Sequence, residues 1–173
     1  MLIDDRSSGS LRSSLDSEWR LVSDRVMGGL SSGELAPARF MGRDCLRMRG
    51  AVTTANNGGF VQMALDLAGK GFDASAYTGV LLQVAGNGEH YNVHLRTSDL
   101  QLPWQSYRAG FVAEPQWHEL RFPFSDFEAY RTGSGFRPDR LARIGLVAIG
   151  REFNAELCVA RTAFYSDDAT PTE

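Results

Sequence analysis

Cysteine, lysine and long apolar runs are all scarce in this chain of 173 residues. The two cysteines, Cys45 and Cys158, each sit in a short apolar run with no CxxC or His/Cys spacing around them. That pattern carries no zinc signature and reads as two buried free thiols in a reducing cytoplasm, with a bridge between them left open. Lys70 is the only lysine, and no GxxxxGK[ST] spacing exists, so there is no phosphate-cradling P-loop. No apolar stretch approaches the roughly 20 residues that span a bilayer. The N-terminal stretch MLIDDRSSGSLRSSLDSEW has no apolar segment and carries Asp4, Asp5, Asp16 and Glu18. It therefore resembles neither a secretory signal nor an organelle presequence, and a cytoplasmic protein without direct membrane insertion is expected. A net charge of -3 gives no global basic field, which argues against a nucleic-acid partner.

Catalytic signatures are missing too. There is no GxSxG elbow, no HExxH pair and no GxGxxG following a strand. The three histidines, His90, His94 and His118, do not combine with a cysteine pair into a metal set. The expectation is a protein that is not an enzyme, with no catalytic residue, no cofactor and no metal site.

What the sequence does contain is a globular composition, 43% hydrophobic and 23% charged. Helical periodicity is almost absent. Short alternating or apolar runs recur at 19–22, 33–41, 45–52, 59–67, 79–86, 91–97, 105–113, 117–123, 143–150 and 155–165. Clusters such as NNGG at 56–59 and GNGE at 86–89 lie between them as turns. About ten strands at that spacing predict an all-β sandwich or barrel. Residues 1–16 read as a flexible lead-in, 17–165 as a single domain and 166–173 as a flexible tail. The stretch FSDFEAYRTG at 124–133 reads as holding one short helical turn. Trp19 and Trp117 read as core residues.

Side-chain alternation sorts the faces. Tyr91, Val93 and Leu95 share one face of their run, and Asn92, His94 and Arg96 share the other, with Arg108 placed beside them. This polar stripe is either an ordinary solvated sheet face or a recognition surface, since guanidinium forks and an imidazole bind carboxylates, hydroxyls or backbone. The segment DRVMGGLSSG at 24–33 is a second candidate. Its paired glycines allow a tight turn and close approach, so Asp24, Arg25, Met27, Gly28, Gly29 and Ser31 are candidate partner-binding residues. The other reading is a crossing loop in which Gly28 and Gly29 serve the backbone and Met27 plugs one end of the sandwich. Trp104, with Gln105 beside it, is a third candidate, as a stacking platform or a hot spot.

These segments occur in a familiar order: WRLVSDRVMGGLSSGEL at 19–35, FMG at 40–42, NNGGFV at 56–61, YTGVLLQVAGNGEHYNVHLRT at 77–97, WQSYRAGF at 104–111 and WHELRFPFSDF at 117–127. Together they resemble the NADH:ubiquinone oxidoreductase complex I intermediate-associated protein 30 family in its bacterial form, over about residues 17–165. The resemblance implies a galactose-binding-domain-like jelly roll and a non-catalytic assembly or chaperone role. It implies a protein partner, with respiratory-complex subunits as the candidate, held through the VMGG loop and the polar face. A carbohydrate or small-ligand binding module is the alternative, with Trp104, Tyr91, Asn92 and Gln105 as its stacking and hydrogen-bonding groups.

Overall fold

A computed structural model describes residues 1–67 and 71–167. Among these residues there are twelve strands: β1 (Leu2–Asp4), β2 (Arg20–Ser23), β3 (Ser32–Phe40), β4 (Arg43–Val52), β5 (Phe60–Asp66), β6 (Gly79–Gly86), β7 (His90–Thr97), β8 (Ser106–Val112), β9 (His118–Pro123), β10 (Glu128–Tyr130), β11 (Leu141–Ile149) and β12 (Phe153–Tyr165). They form two antiparallel sheets. The first runs β3-β4-β12-β6-β9, with β1 also pairing β12; the second runs β10-β8-β7-β11-β5-β2. This is the expected jelly-roll β-sandwich. The two last strands, β11 and β12, each lie in the middle of a sheet.

The alternation read from the sequence places the core. Val80, Leu82 and Val84 of β6 are fully buried, as are Tyr91, Val93 and Leu95 of β7 and Ile144, Leu146 and Ala148 of β11. Burying each large aliphatic or aromatic side chain contributes about 1.5–3 kcal/mol, and this continuous layer between the sheets dominates the stability. Phe124, Phe136, Phe164 and Phe72 extend the core with rings 5.4–6.2 Å apart. Trp19 belongs to the core, but Trp117 is only half-buried. Its Nε1–H donates to the Phe40 carbonyl at 2.9 Å, and the Arg43 guanidinium lies 5.0 Å from its ring.

Ten expected strands correspond to β2–β9, β11 and β12. Two others were not expected, and both have only three residues, too few for a periodic pattern to register. One lies in the segment read as a flexible lead-in. Leu2–Asp4 pairs with β12, and Asp4 is buried with its carboxylate accepting from the Trp19 indole at 2.7 Å and from the Arg6 backbone at 2.7 Å. The Arg6 guanidinium pairs with the same carboxylate. Asp4 and Arg6 thus neutralise one another inside the fold, while Asp5 between them stays exposed. The other is Glu128–Tyr130, in the stretch read as a helical turn; only Phe124–Asp126 forms such a turn. Of the expected tail, Asp167 donates its N–H to Thr78 at 3.0 Å, and residues 168–173 lie outside the described residues.

Cys45 and Cys158 are buried, unbridged and in contact across neighbouring strands. Among the described residues no helix is long and apolar enough to cross a membrane.

Candidate functional site

The loop between β2 and β3 begins where the Ser23 hydroxyl accepts the Arg25 N–H at 3.3 Å, capping a single 3-10 turn over Asp24–Met27. Gly28 ends the turn at φ 85°, a left-handed conformation that favours glycine. Asp24 is completely buried. One carboxylate oxygen accepts the Ser31 N–H at 3.0 Å. The other accepts the Ser31 hydroxyl at 2.5 Å, the Gly59 N–H at 2.5 Å and the Phe60 N–H at 3.3 Å. Burial pushes this carboxyl up, but the hydrogen bonds from Ser31, Gly59 and Phe60 outweigh it and hold it below the ordinary value. A Cβ on Gly29 would fall 2.4 Å from the Asp24 Cγ, and one on Gly58 would fall 2.4 Å from its Oδ2. The two motifs DRVMGGLSSG and NNGGF are thus one device, in which a buried anion draws two loops together.

That device turns Asp24, Gly29 and Ser31 inward, where they build the loop. Arg25 is exposed but donates its Nε–H to the Ser31 carbonyl at 2.8 Å. Met27 does not plug the sandwich; it is 61% exposed, between Val26 at 76% and Leu30 at 52%. Residues 25–33 and 53–59 carry one charged side chain, Arg25, and Glu152 of the β11–β12 loop joins this end by accepting from the Thr53 and Thr54 hydroxyls at 3.3 and 3.4 Å. Val26 and Leu30 were missed by sequence reasoning, although their place beside the glycines was the available signal.

On the outer face of the second sheet, register sets His94 beside Arg108 of β8 and Gly145 of β11, and Asn92 beside Gly110 and Val147. The Gln62 amide fills the space above Gly145, where a Cβ would meet its oxygen at 2.5 Å. His94 is half-buried, and its Nε2 has no hydrogen-bond partner among the described residues. Burial, aided by the charge of Arg108, lowers its pKa to about 3, so the ring is neutral at physiological pH. The Arg108 Nε–H donates to the Ser106 hydroxyl at 2.8 Å, and its guanidinium lies 3.5 Å from the centre of the Tyr130 ring.

Arg96 has a different task from the one expected. Its guanidinium donates to the carbonyls of Leu102 (2.9 Å), Pro103 (3.2 Å), Gln105 (2.6 Å) and Leu100 (3.4 Å). Gln105 is equally engaged: its oxygen accepts the Leu102 N–H at 3.2 Å and its amide donates to the Arg131 carbonyl at 3.1 Å. Both side chains hold the β7–β8 loop, and Trp104 stands on that loop 52% exposed. Tyr91 offers no stacking surface. It is buried, its hydroxyl donates to Asn87 at 2.7 Å and accepts the Glu156 N–H at 2.9 Å, and burial pushes its pKa up to about 12.

The expected site residues therefore fall into three places. The Asp24 loop lies at one end of the second sheet, the Arg96–Trp104 loop at the other, and Asn92, His94 and Arg108 lie between them. Tyr130 and Arg131, which border this face, were not foreseen because β10 was not. No group of three or more His, Cys, Asp or Glu side chains suited to a metal exists among the described residues. A groove of about 450 Å³ lies on the other sheet, lined by Ser32, Glu34, Arg49, Asn154 and Glu156, and begins at the residue after Ser31.

Comparison with known families matches residues 9–159 to Complex I intermediate-associated protein 30. The chain belongs to that family. Its members' match covers both pinned loops and the whole of the second sheet. No curated protein matches the chain. Among solved structures, the fold is similar to a family 11 carbohydrate-binding module of a cellulosomal cellulase of Clostridium thermocellum. That likeness has a TM-score of 0.74 at 12% identity and covers 96% of this chain and 94% of that one. The same kind of module from Clostridium thermocellum in complex with a β-1,3-1,4-mixed-linked tetrasaccharide matches with a TM-score of 0.70 at 11% identity, covering 86% and 88%. A family 30 carbohydrate-binding module of another cellulosomal cellulase of that organism matches with a TM-score of 0.61 at 14% identity, covering 87% and 92%. At these identities the likeness is one of fold, a jelly-roll sandwich, which this member of the complex I intermediate-associated protein 30 family shares.

Proposed function

We propose that this chain is a non-catalytic, cytoplasmic binding domain that holds a protein partner during assembly of a respiratory complex, through the VMGG loop and the polar sheet face. The observation that carries the reading is the apolar tip of Val26, Met27 and Leu30, displayed to water by a loop that a buried carboxylate holds in one shape. Large exposed apolar side chains on a fixed loop suit a shape-matched protein surface. Membership of the family directs the choice of partner towards complex I subunits. The test is a tagged pull-down from the native host with a Val26→Ser, Met27→Ser, Leu30→Ser variant as control. Enrichment of respiratory-complex subunits by the parent chain, lost in the variant, is expected. Equal capture by both would overturn the role of the tip.

A carbohydrate or small-ligand module is the second reading. Trp104, exposed on a loop fixed by Arg96, favours it, since a held indole is a stacking platform. Glycan-array screening with the parent and a Trp104→Ala variant tests it, and no signal at millimolar sugar would count against it.

A further inference from the structure

The arginines around the second sheet are unevenly neutralised. Arg20 and Arg143 share Asp66 at 2.6 and 2.8 Å, Arg140 pairs with Asp99 at 2.6 Å and Arg137 with Asp139 at 2.9 Å. Arg108 and Arg131 have no carboxylate within 4.0 Å among the described residues. Glu128 stands opposite Arg108 in the β10–β8 register and pairs with neither. Instead both guanidiniums lie on one aromatic ring, 3.5 and 5.2 Å from the centre of Tyr130. Arg131 is also held in left-handed backbone at φ 54°, unusual for a residue with a Cβ, while the Gln105 amide binds its carbonyl. That same hydrogen bond ties Arg131 to the loop that displays Leu102 at 43% and Trp104 at 52% exposure.

We propose that Arg108 and Arg131, oriented by the Tyr130 ring, form a recognition site for the carboxylates of an acidic protein segment, with Leu102 and Trp104 receiving its apolar side chains. The choice of a protein segment rests on the reading of the domain as a protein binder. Guanidinium forks bind carboxylates with two parallel hydrogen bonds; the Arg108 Nε–H is taken by Ser106, and its two terminal nitrogens are the donors that stacking leaves to a carboxylate. Tryptophan and arginine are each enriched at the energetic centres of protein interfaces. A long polyanion such as nucleic acid is disfavoured because the whole chain is net negative at -3, whereas a short acidic segment meets only the local excess of positive charge.

The test uses the full chain and a labelled hexapeptide of glutamate and leucine, read by fluorescence anisotropy against the same peptide with glutamine for glutamate. The glutamate peptide is expected to bind at least tenfold more tightly, and added salt should shrink the gap. An Arg108→Gln, Arg131→Gln variant should abolish the preference, while Arg161→Gln, an exposed arginine on the other sheet, should keep it. Equal binding of the two peptides, or a preference that survives the double variant, overturns the site without reference to whether any variant folds differently. An oligogalacturonate is run in parallel. If it binds with the same arginine dependence and the peptide does not, the carboxylate belongs to a glycan and the proposal falls. The Val26→Ser, Met27→Ser, Leu30→Ser variant should bind the peptide normally, so failure here and failure of the pull-down are separable.

Discussion

Two loops at opposite ends of the second sheet are held by opposite charges. At one end the Asp24 carboxylate gathers N–H and O–H donors from Ser31, Gly59 and Phe60; at the other the Arg96 guanidinium gathers carbonyls from Leu100, Leu102, Pro103 and Gln105. A loop leaves backbone polar groups without strand partners, and an unpartnered buried group costs free energy. One charged side chain can satisfy several at once. The difference lies in depth. Asp24 is wholly buried and joins segments far apart in sequence, whereas Arg96 is half-buried and organises only the loop that follows its own strand. The same economy of means therefore has unequal consequences: the anion holds tertiary structure, the cation holds local shape. In both cases large apolar residues end up exposed on a rigid support.

The contrast can be broken hardest at Asp24. Asp24→Ala should cost about 2–4 kcal/mol by orphaning buried donors, read as a fall in midpoint on chemical denaturation. Acid should reveal the same anion. Its folded pKa is depressed, so its contribution is complete above the ordinary carboxylate value and is lost as pH falls through the folded value. Stability of the parent chain should thus drop on acidification below about pH 4, and the drop should be shallower in Asp24→Asn.

A subtler intrusion is Gly29→Ala, which forces a methyl group against the Asp24 carboxylate. It should destabilise by about 1–3 kcal/mol, measurable as a lowered Tm. Arg96→Leu should cost less, about 1–2 kcal/mol, with faster hydrogen exchange confined to residues 98–105. A global loss of protection in that variant would erase the distinction drawn between the two loops. Smallest of all, Val26→Ser with Met27→Ser should change stability by no more than about 0.5 kcal/mol, since the tip packs on nothing that holds the fold. A large loss of Tm there would show that the tip belongs to the core.

The strand layout was legible because alternation over seven or more residues reports a half-buried sheet directly, as in YNVHLRT, whose two faces fall where the pattern puts them. Strands of three residues gave no such report, and β10 took Tyr130 and Arg131 out of view with it. The faces of the candidate residues were legible, but not their contacts. DRVMGGLSSG stood out by its paired glycines, yet nothing local to it says that Asp24 faces Gly59, because that contact spans two loops. Arg96 looked like part of a binding stripe since alternation gives a side chain's face and not its partners. Tyr91 is the reverse case: its inward face already followed from the alternation, which argued against a stacking role.

The order of strands also governs how the molecule comes into being. β11 separates β7 from β5, and β12 separates β4 from β6 and holds β1. A ribosome delivers these two central strands after the ten other described strands. Until they emerge, β4, β5, β6 and β7 each present a bare edge, and neither half of the sandwich can close. Edges of that kind pair readily with other chains, and contacts so distant in sequence form slowly. A chain truncated before Leu141 should therefore be aggregation-prone and protease-sensitive, because neither sheet has its central strand.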